Sequence, residues 1–178
     1  VSFEVFADEP DEMESQALEI ASWGSNVNVK IPVTNTQGEF MGDLIGRLSA
    51  ASVAVNVTAI MTLDQVDQVV DRLHPDTPAI VSVFAGRIAD TGIDPVPVMA
   101  AAVETLKRKP KSELIWASPR ELLNIFHADE VGCHIITVTN DILKKLDLVG
   151  KDLREYSLDT VKMFRGDAES ARYTIEAA

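Results

Sequence analysis

An α/β fold of parallel strands, wound as a barrel, is what three features of the sequence predict. Six short runs rich in β-branched and aromatic residues alternate with longer amphipathic segments. Alternation of that regularity calls for parallel strands joined by helical crossovers, in a barrel or an open doubly wound sheet. Within the runs, polar residues recur on one face. A barrel whose C-terminal rim carries chemistry suits that pattern better than an open sheet, whose ligands gather at a single switch-point crevice. Neither G-x-G-x-x-G nor G-x-x-x-x-G-K-[ST], the glycine patterns of such crevices, occurs.

The elements follow in order. In the first run, Ser2 to Phe6, Glu4 opposes Phe3 and Val5, and a helix follows over Asp11 to Trp23. The second, Asn26 to Val33, sets Val27, Val29, Ile31 and Val33 against Asn28 and Lys30; its helix is Gly42 to Ala51. The third, Val53 to Met61, sets Val53, Val55 and Val57 against Ala54, Asn56 and Thr58, and precedes a helix over Leu63 to Leu73. The fourth, Ala79 to Phe84, carries Ser82 between Val81 and Val83, and its helix, Pro95 to Arg108, starts at a proline behind Asp94. The fifth, Glu113 to Ser118, ends on a serine whose alternate positions are Leu114 and Trp116; a helix over Arg120 to Asp129 follows and Gly132 stops it. After the sixth, His134 to Thr139, come a helix over Asp141 to Leu146 and a last one over Leu158 to Ala171, with Leu158, Val161 and Phe164 at helical spacing. No linker interrupts the series, so residues 1–178 read as one domain.

Composition removes several function classes. With 16 basic and 28 acidic residues in 178, the net charge is −12, which argues against a nucleic-acid footprint. Apolar residues make up 46%, yet no run nears the roughly 18 to 20 needed to span a bilayer. The single cysteine, Cys133, allows no internal disulfide and fits a reducing, cytoplasmic compartment. His74, His127 and His134 lack metal-ligand spacing, so no metal is expected. Gly42 to Gly46 is a G-x-x-x-G without an apolar host helix, and reads as packing.

Lys30 is the most informative residue, since a lysine in the middle of Val27-Asn28-Val29-Lys30-Ile31-Pro32-Val33 is costly unless paired, extended to water or held neutral. Held neutral in a dry pocket, the amine attacks carbonyls and forms a Schiff base, an electron sink for an adjacent C–C bond. Glu4 on the neighbouring run is either its salt-bridge partner or an acid/base that handles the water of imine formation. Spacing leaves both roles open.

These residues resemble the transaldolase family of class I aldolases. The segments that carry the likeness are Phe3-Glu4-Val5, Val29-Lys30-Ile31-Pro32-Val33-Thr34, Asn56-Val57-Thr58, Ser82-Val83-Phe84-Ala85-Gly86-Arg87-Ile88 and Ala117-Ser118-Pro119-Arg120. The resemblance implies a (β/α)8 TIM barrel in which Lys30 forms the Schiff base with a ketose phosphate. It further implies that Glu4 and Thr58 hold the catalytic water and that Asn56 and Ser82 bind the dihydroxyacetone part. Phe84 and Glu4 resemble the transferases rather than the related fructose-6-phosphate aldolases, which tend to carry Tyr and Gln there. A phosphate dianion wants fixed cationic forks at strand ends. Arg87, Ser118 and Arg120 stand at positions that bind sugar phosphate in the family. Taken singly, either arginine reads equally as a rim salt bridge. No metal or organic cofactor is implied, and the partners are sugar phosphates of the fructose 6-phosphate and sedoheptulose 7-phosphate class.

The family barrel has eight strands, whereas six of its βα units plus the C-terminal helix are legible here, starting at what resembles strand three. The family's first-strand Asp, the acid/base at the C–C bond, has no counterpart, nor does its Thr-Asn-Pro segment; Val33-Thr34-Asn35-Thr36 is not that motif. An upstream segment of about 50 to 60 residues is expected, from two βα units of ~30 residues each. Short members of the family pack the C-terminal helix on a neighbouring subunit, so a homo-oligomer is expected. An amphipathic helix equally covers its own barrel mouth. The rival readings are an aldolase of the same family and a binding or assembly protein that kept the barrel shell without turnover.

Overall fold

The computed structural model describes residues 1–172, 174 and 175; the very end of the 1–178 domain expectation lies outside them. Six strands form: β1 (Ser2–Glu4), β2 (Asn28–Pro32), β3 (Val55–Ile60), β4 (Ala79–Val83), β5 (Ser112–Trp116) and β6 (Ile135–Ile136). All pair in parallel, and their order in the sheet is their order in the chain. That order separates barrel winding from the doubly wound alternative. Right-handed crossovers that always step the same way put every helix on one face of the sheet, whereas a doubly wound sheet reverses and covers both. The strands make a half-barrel with one concave, helix-free face; the eight-unit count is not reached among the described residues.

The helices are laid down by ordinary local signals. In α1 (Pro10–Ser22) a proline opens the first turn beside Asp11 and Glu12, and Met13, Ala17 and Ile20 point inward. In α2 (Gly42–Ala50) the inward residues include Leu44, Ile45 and Leu48. At the head of α3 (Leu63–Arg72), Thr62 and Gln65 close a reciprocal capping box and Val66, Val69 and Val70 form the buried stripe. A short α4 (Ala85–Asp90) directly follows β4, and α5 (Val96–Leu106) covers β5 with Met99, Ala102 and Leu106. Then come α6 (Leu123–Glu130), α7 (Asn140–Leu143) with a 3-10 turn over Lys144–Leu148, and α8 (Leu153–Ala171). The core lies between these helices and the convex side of the sheet, where Val29, Ile31, Val55, Val57, Val81, Val83, Leu114 and Trp116 are buried.

Several sequence expectations change. The six-residue α4 is too short to show a helical period and was not anticipated. The sixth helix starts at Leu123 rather than Arg120, because Asn124 Oδ1 accepts from the amides of Arg120 and Glu121 and holds them in a turn. The last helix starts at Leu153 rather than Leu158, capped by Asp152, whose carboxylate accepts from the amides of Arg154 and Glu155. Finally, Leu114 and Trp116 face the helices, so the concave positions near the end of the fifth run are Ile115 and Ala117. Ser118 joins them because it lies past the strand at φ 58°, a left-handed turn that breaks the alternation.

Candidate active site

Parallel pairing sets residues from successive strands side by side. Glu4 is registered with Lys30 across β1 and β2, and Lys30 with Asn56 across β2 and β3. Register partners project to the same side of a sheet, so these three stand in one row on the concave face. Lys30 Nζ lies 3.8 Å from Glu4 Oε2, with the two side chains 33% and 47% exposed. The dry pocket expected for Lys30 is therefore a half-open one, with the amine paired yet within reach of solvent. At that distance and exposure the ion pair adds little to stability.

Beside the row the face becomes drier. Asn56, Thr58 and Ser82 are all nearly inaccessible. The Asn56 amide is held from both ends: its Nδ2 donates to Ser2 Oγ at 3.0 Å and its Oδ1 accepts from Ser82 Oγ at 2.7 Å. Thr58 differs, for its buried hydroxyl has no hydrogen-bond partner among the described protein groups. A backbone irregularity shapes this part of β3: the pairing with β4 shifts between Val57 and Ile60, where Ala59 takes φ 63°.

Lys30, Asn56, Thr58, Ser82, Phe84 and Ser118 line one cleft of about 320 Å³, and Glu4 reaches it through Lys30. The structure thus brings together seven of the nine residues singled out from the sequence. The two arginines stand outside this cleft. Arg87 is exposed, its guanidinium 5.2 Å above the Phe84 ring. Arg120 lines a neighbouring cleft of about 330 Å³ that shares Ser118 and Thr137 with the first, and it forks onto Asp90. Sequence reasoning missed Ser2 and Thr137 as lining residues. Ser2 was within reach of the period-two argument, since it shares its face with Glu4.

Ser118 owes its place to a close approach. Gly86 in α4 lies so near the Ser118 carbonyl that a Cβ at position 86 would overlap it. Glycine is required there for contact rather than for backbone freedom.

Cys133 and His134 are both tied to the backbone of β5. Burial pushes the Cys133 thiol up from its ordinary value, and the thiol donates to the carbonyls of Leu114 and Ile135. It is therefore poorly nucleophilic. Next to it, His134 Nδ1 accepts from the Leu114 amide at 3.0 Å. Among the described residues no group of three or more His, Cys, Asp or Glu side chains is placed to hold a metal ion. No helix described is long and apolar enough to cross a membrane.

Comparison with known proteins gives a consistent result. A family model described as Transaldolase/Fructose-6-phosphate aldolase matches residues 1–176. A probable transaldolase of Dehalococcoides mccartyi is 35% identical over 147 residues, 82% of this chain and 64% of that protein. Probable transaldolase 2 of Listeria monocytogenes is 32% identical over 148 residues with the same shares covered, and a probable transaldolase of Streptococcus agalactiae is 33% identical over 147 residues. The chain thus spans about 64% of the length of these relatives. A solved structure titled "Native KDPGal structure" is 12% identical, with a TM-score of 0.28 over 79% of this chain and 81% of that one, too loose a likeness to carry an argument.

Proposed function

The chain belongs to the transaldolase/fructose-6-phosphate aldolase family, and from that premise we propose that the protein transfers a dihydroxyacetone unit between sugar phosphates through a Schiff base on Lys30. The observation that carries this reading is the row Glu4, Lys30, Asn56, with the amine 3.8 Å from a carboxylate beside the cleft it lines. In the proposed cycle the Lys30 amine adds to the ketone of a ketose phosphate, and the carbonyl oxygen leaves as water. The iminium then accepts the electron pair of the adjacent C–C bond as that bond breaks, leaving an enamine on Lys30 and releasing an aldehyde. The enamine attacks an acceptor aldehyde, and water hydrolyses the new imine to return the amine.

Glu4 and Thr58 are assigned to that water. The Glu4 carboxylate lies beside the amine and can exchange protons with it, and the Thr58 hydroxyl is buried with no protein partner of its own. Asn56 and Ser82, already locked to each other, are assigned to the dihydroxyacetone hydroxyls. Phe84 closes that end of the cleft, and Arg87, Ser118 and Arg120 are assigned to the phosphate. The cycle uses no metal or organic cofactor.

The active form we propose is a closed eight-stranded barrel, since β1 and β6 each keep one edge unpaired among the described residues and two further strands would bridge them. We further propose a cytoplasmic homo-oligomer, which would cover α8, where Leu153, Leu158, Val161 and Phe164 are all more than half exposed.

Borohydride trapping tests the reading. Fructose 6-phosphate with reductant should attach covalently to Lys30 of the full-length protein, located by peptide mass. An unmodified Lys30 in a folded protein refutes the Schiff base and leaves the non-catalytic barrel. Release of free dihydroxyacetone without any acceptor would favour the aldolase, against which Glu4 and Phe84 stand.

A further inference from the structure

We infer that Asp90 is a positioning residue for the phosphate end of the substrate, holding the Arg120 guanidinium ordered before the anion arrives; the inference rests on the reading just given. Asp90 is the last residue of α4 and lies 30 positions from Arg120 in the chain. Its carboxylate accepts from Arg120 Nε at 3.1 Å and, through the other oxygen, from Nη2, a two-point fork. The main chain of Arg120 is fixed as well, its amide donating to Asn124 Oδ1 at 2.8 Å. Between these anchors the guanidinium passes over Gly86, close enough that a Cβ there would sit 3.3 Å from Nε.

Stability does not account for this pair. Its partners are 50% and 52% exposed, a setting in which an ion pair contributes little. Attraction for an anion does not account for it either: of the charges on Arg87, Arg120 and Asp90, the carboxylate cancels one of the two positive ones. What the fork does supply is a fixed plane. It engages Nε–H and one Nη2–H, which leaves the other three donors of the guanidinium for a ligand. Arg120 lines the cleft that shares Ser118 and Thr137 with the Lys30 cleft, so an anion bound there is continuous with a ketone at Lys30. Without Asp90, a long and flexible side chain would have to be immobilised during binding.

The test compares two donors in the borohydride trapping of Lys30 in the full-length protein: fructose 6-phosphate, and dihydroxyacetone, which has no phosphate. Asp90→Asn should raise the half-saturating concentration of fructose 6-phosphate about tenfold, the order expected for ordering one arginine on binding. It should leave maximal trapping and the dihydroxyacetone curve as they are, and Asp90→Glu should recover most of the loss. In an Arg120→Ala background, Asp90→Asn should add nothing further. An unchanged or lowered half-saturation for fructose 6-phosphate overturns the inference, and so does an equal weakening toward both donors. Absence of trapping in the wild-type protein with either donor overturns the Schiff-base reading itself and this inference with it.

Discussion

Thr58→Val separates what the concave face does for chemistry from what it does for folding. Thr58 is 3% exposed, and its hydroxyl has no hydrogen-bond partner among the described protein groups. Valine keeps the branched shape and replaces the hydroxyl by a methyl. Burying a hydroxyl without a partner costs about 1–3 kcal/mol by mutational measures. Thr58 borders a cleft, where the water assigned to its hydroxyl would meet that cost, and the substitution breaks no protein hydrogen bond, so stability should shift by less than ~1 kcal/mol, under roughly 2–4 °C in melting temperature for a chain of this size. Trapping of Lys30 should change far more. If the hydroxyl orients the water that forms and hydrolyses the imine, its loss should slow trapping on the order of 100-fold, the low end for a positioned acid/base group. Scanning calorimetry and borohydride trapping on the same preparations give both readings. A variant that melts several degrees lower and traps at the wild-type rate would refute the reasoning, because the hydroxyl would then be holding the strand and not the water.

Ser82→Ala should lower stability. It removes the donor to Asn56 Oδ1 and leaves that buried oxygen unpaired, a loss of about 1–2 kcal/mol that should appear as a lower urea midpoint at unchanged slope. For Gly86→Ala, where a methyl would overlap the Ser118 carbonyl, the expectation is a loss of about 1–3 kcal/mol together with weaker fructose 6-phosphate binding, read by the same denaturation and trapping assays. The pair joining α1 to α2 sets an acid limit. Hydrogen bonding to Arg47 holds the Glu14 carboxyl below its ordinary value of 4.5, so the unfolded chain takes up the proton first. The pair's small contribution is full above that ordinary value and is lost as pH falls through the lower, folded one. The melting-temperature difference between wild type and Glu14→Gln, measured across pH, should therefore be positive at neutrality and close to zero in strong acid; a difference that grows on acidification would contradict the sign.

Much of the concave face was legible in the sequence because a strand shows its faces at every second residue. Lys30 between Val29 and Ile31, Asn56 between Val55 and Val57, and Ser82 between Val81 and Val83 declare that face without any long-range information. The winding was legible as well, from the lack of a glycine-rich crevice motif and the spread of polar positions over many strands. What was not legible depends on contacts between distant segments or on single dihedral angles. Ser118 enters the cleft through one left-handed residue, which no alternation reports. The Asp90 to Arg120 fork joins positions 30 apart, and α4 is too short to announce itself by periodicity. The true start of α8 was hidden because Asp152 acts as a cap through geometry, while the apolar spacing that draws the eye begins later, at Leu158. Phe6 was read into the first strand, whereas β1 ends at Glu4 and the Phe6 ring stands 94% exposed. On an edge strand, apolar character and strand pairing need not coincide.

The pleat has a consequence for how such a protein can change over time. Lys30, Asn56 and Ser82 each sit between two core residues of the same strand, with Val57 serving as neighbour to both Asn56 and Thr58. Substitution at a cleft position leaves its flanking valines and isoleucines where they were, so new chemistry can be sampled without rebuilding the interior. A one-residue insertion or deletion inside the strand is a different matter, because it would exchange the two faces and send Lys30 into the helices and Ile31 into the cleft. Change of length is therefore confined to the connections, and divergence of activity within the strands has to proceed letter by letter. The β3 pairing already departs from this frame between Val57 and Ile60, where Ala59 takes φ 63°, and that departure takes in the cleft residue Thr58.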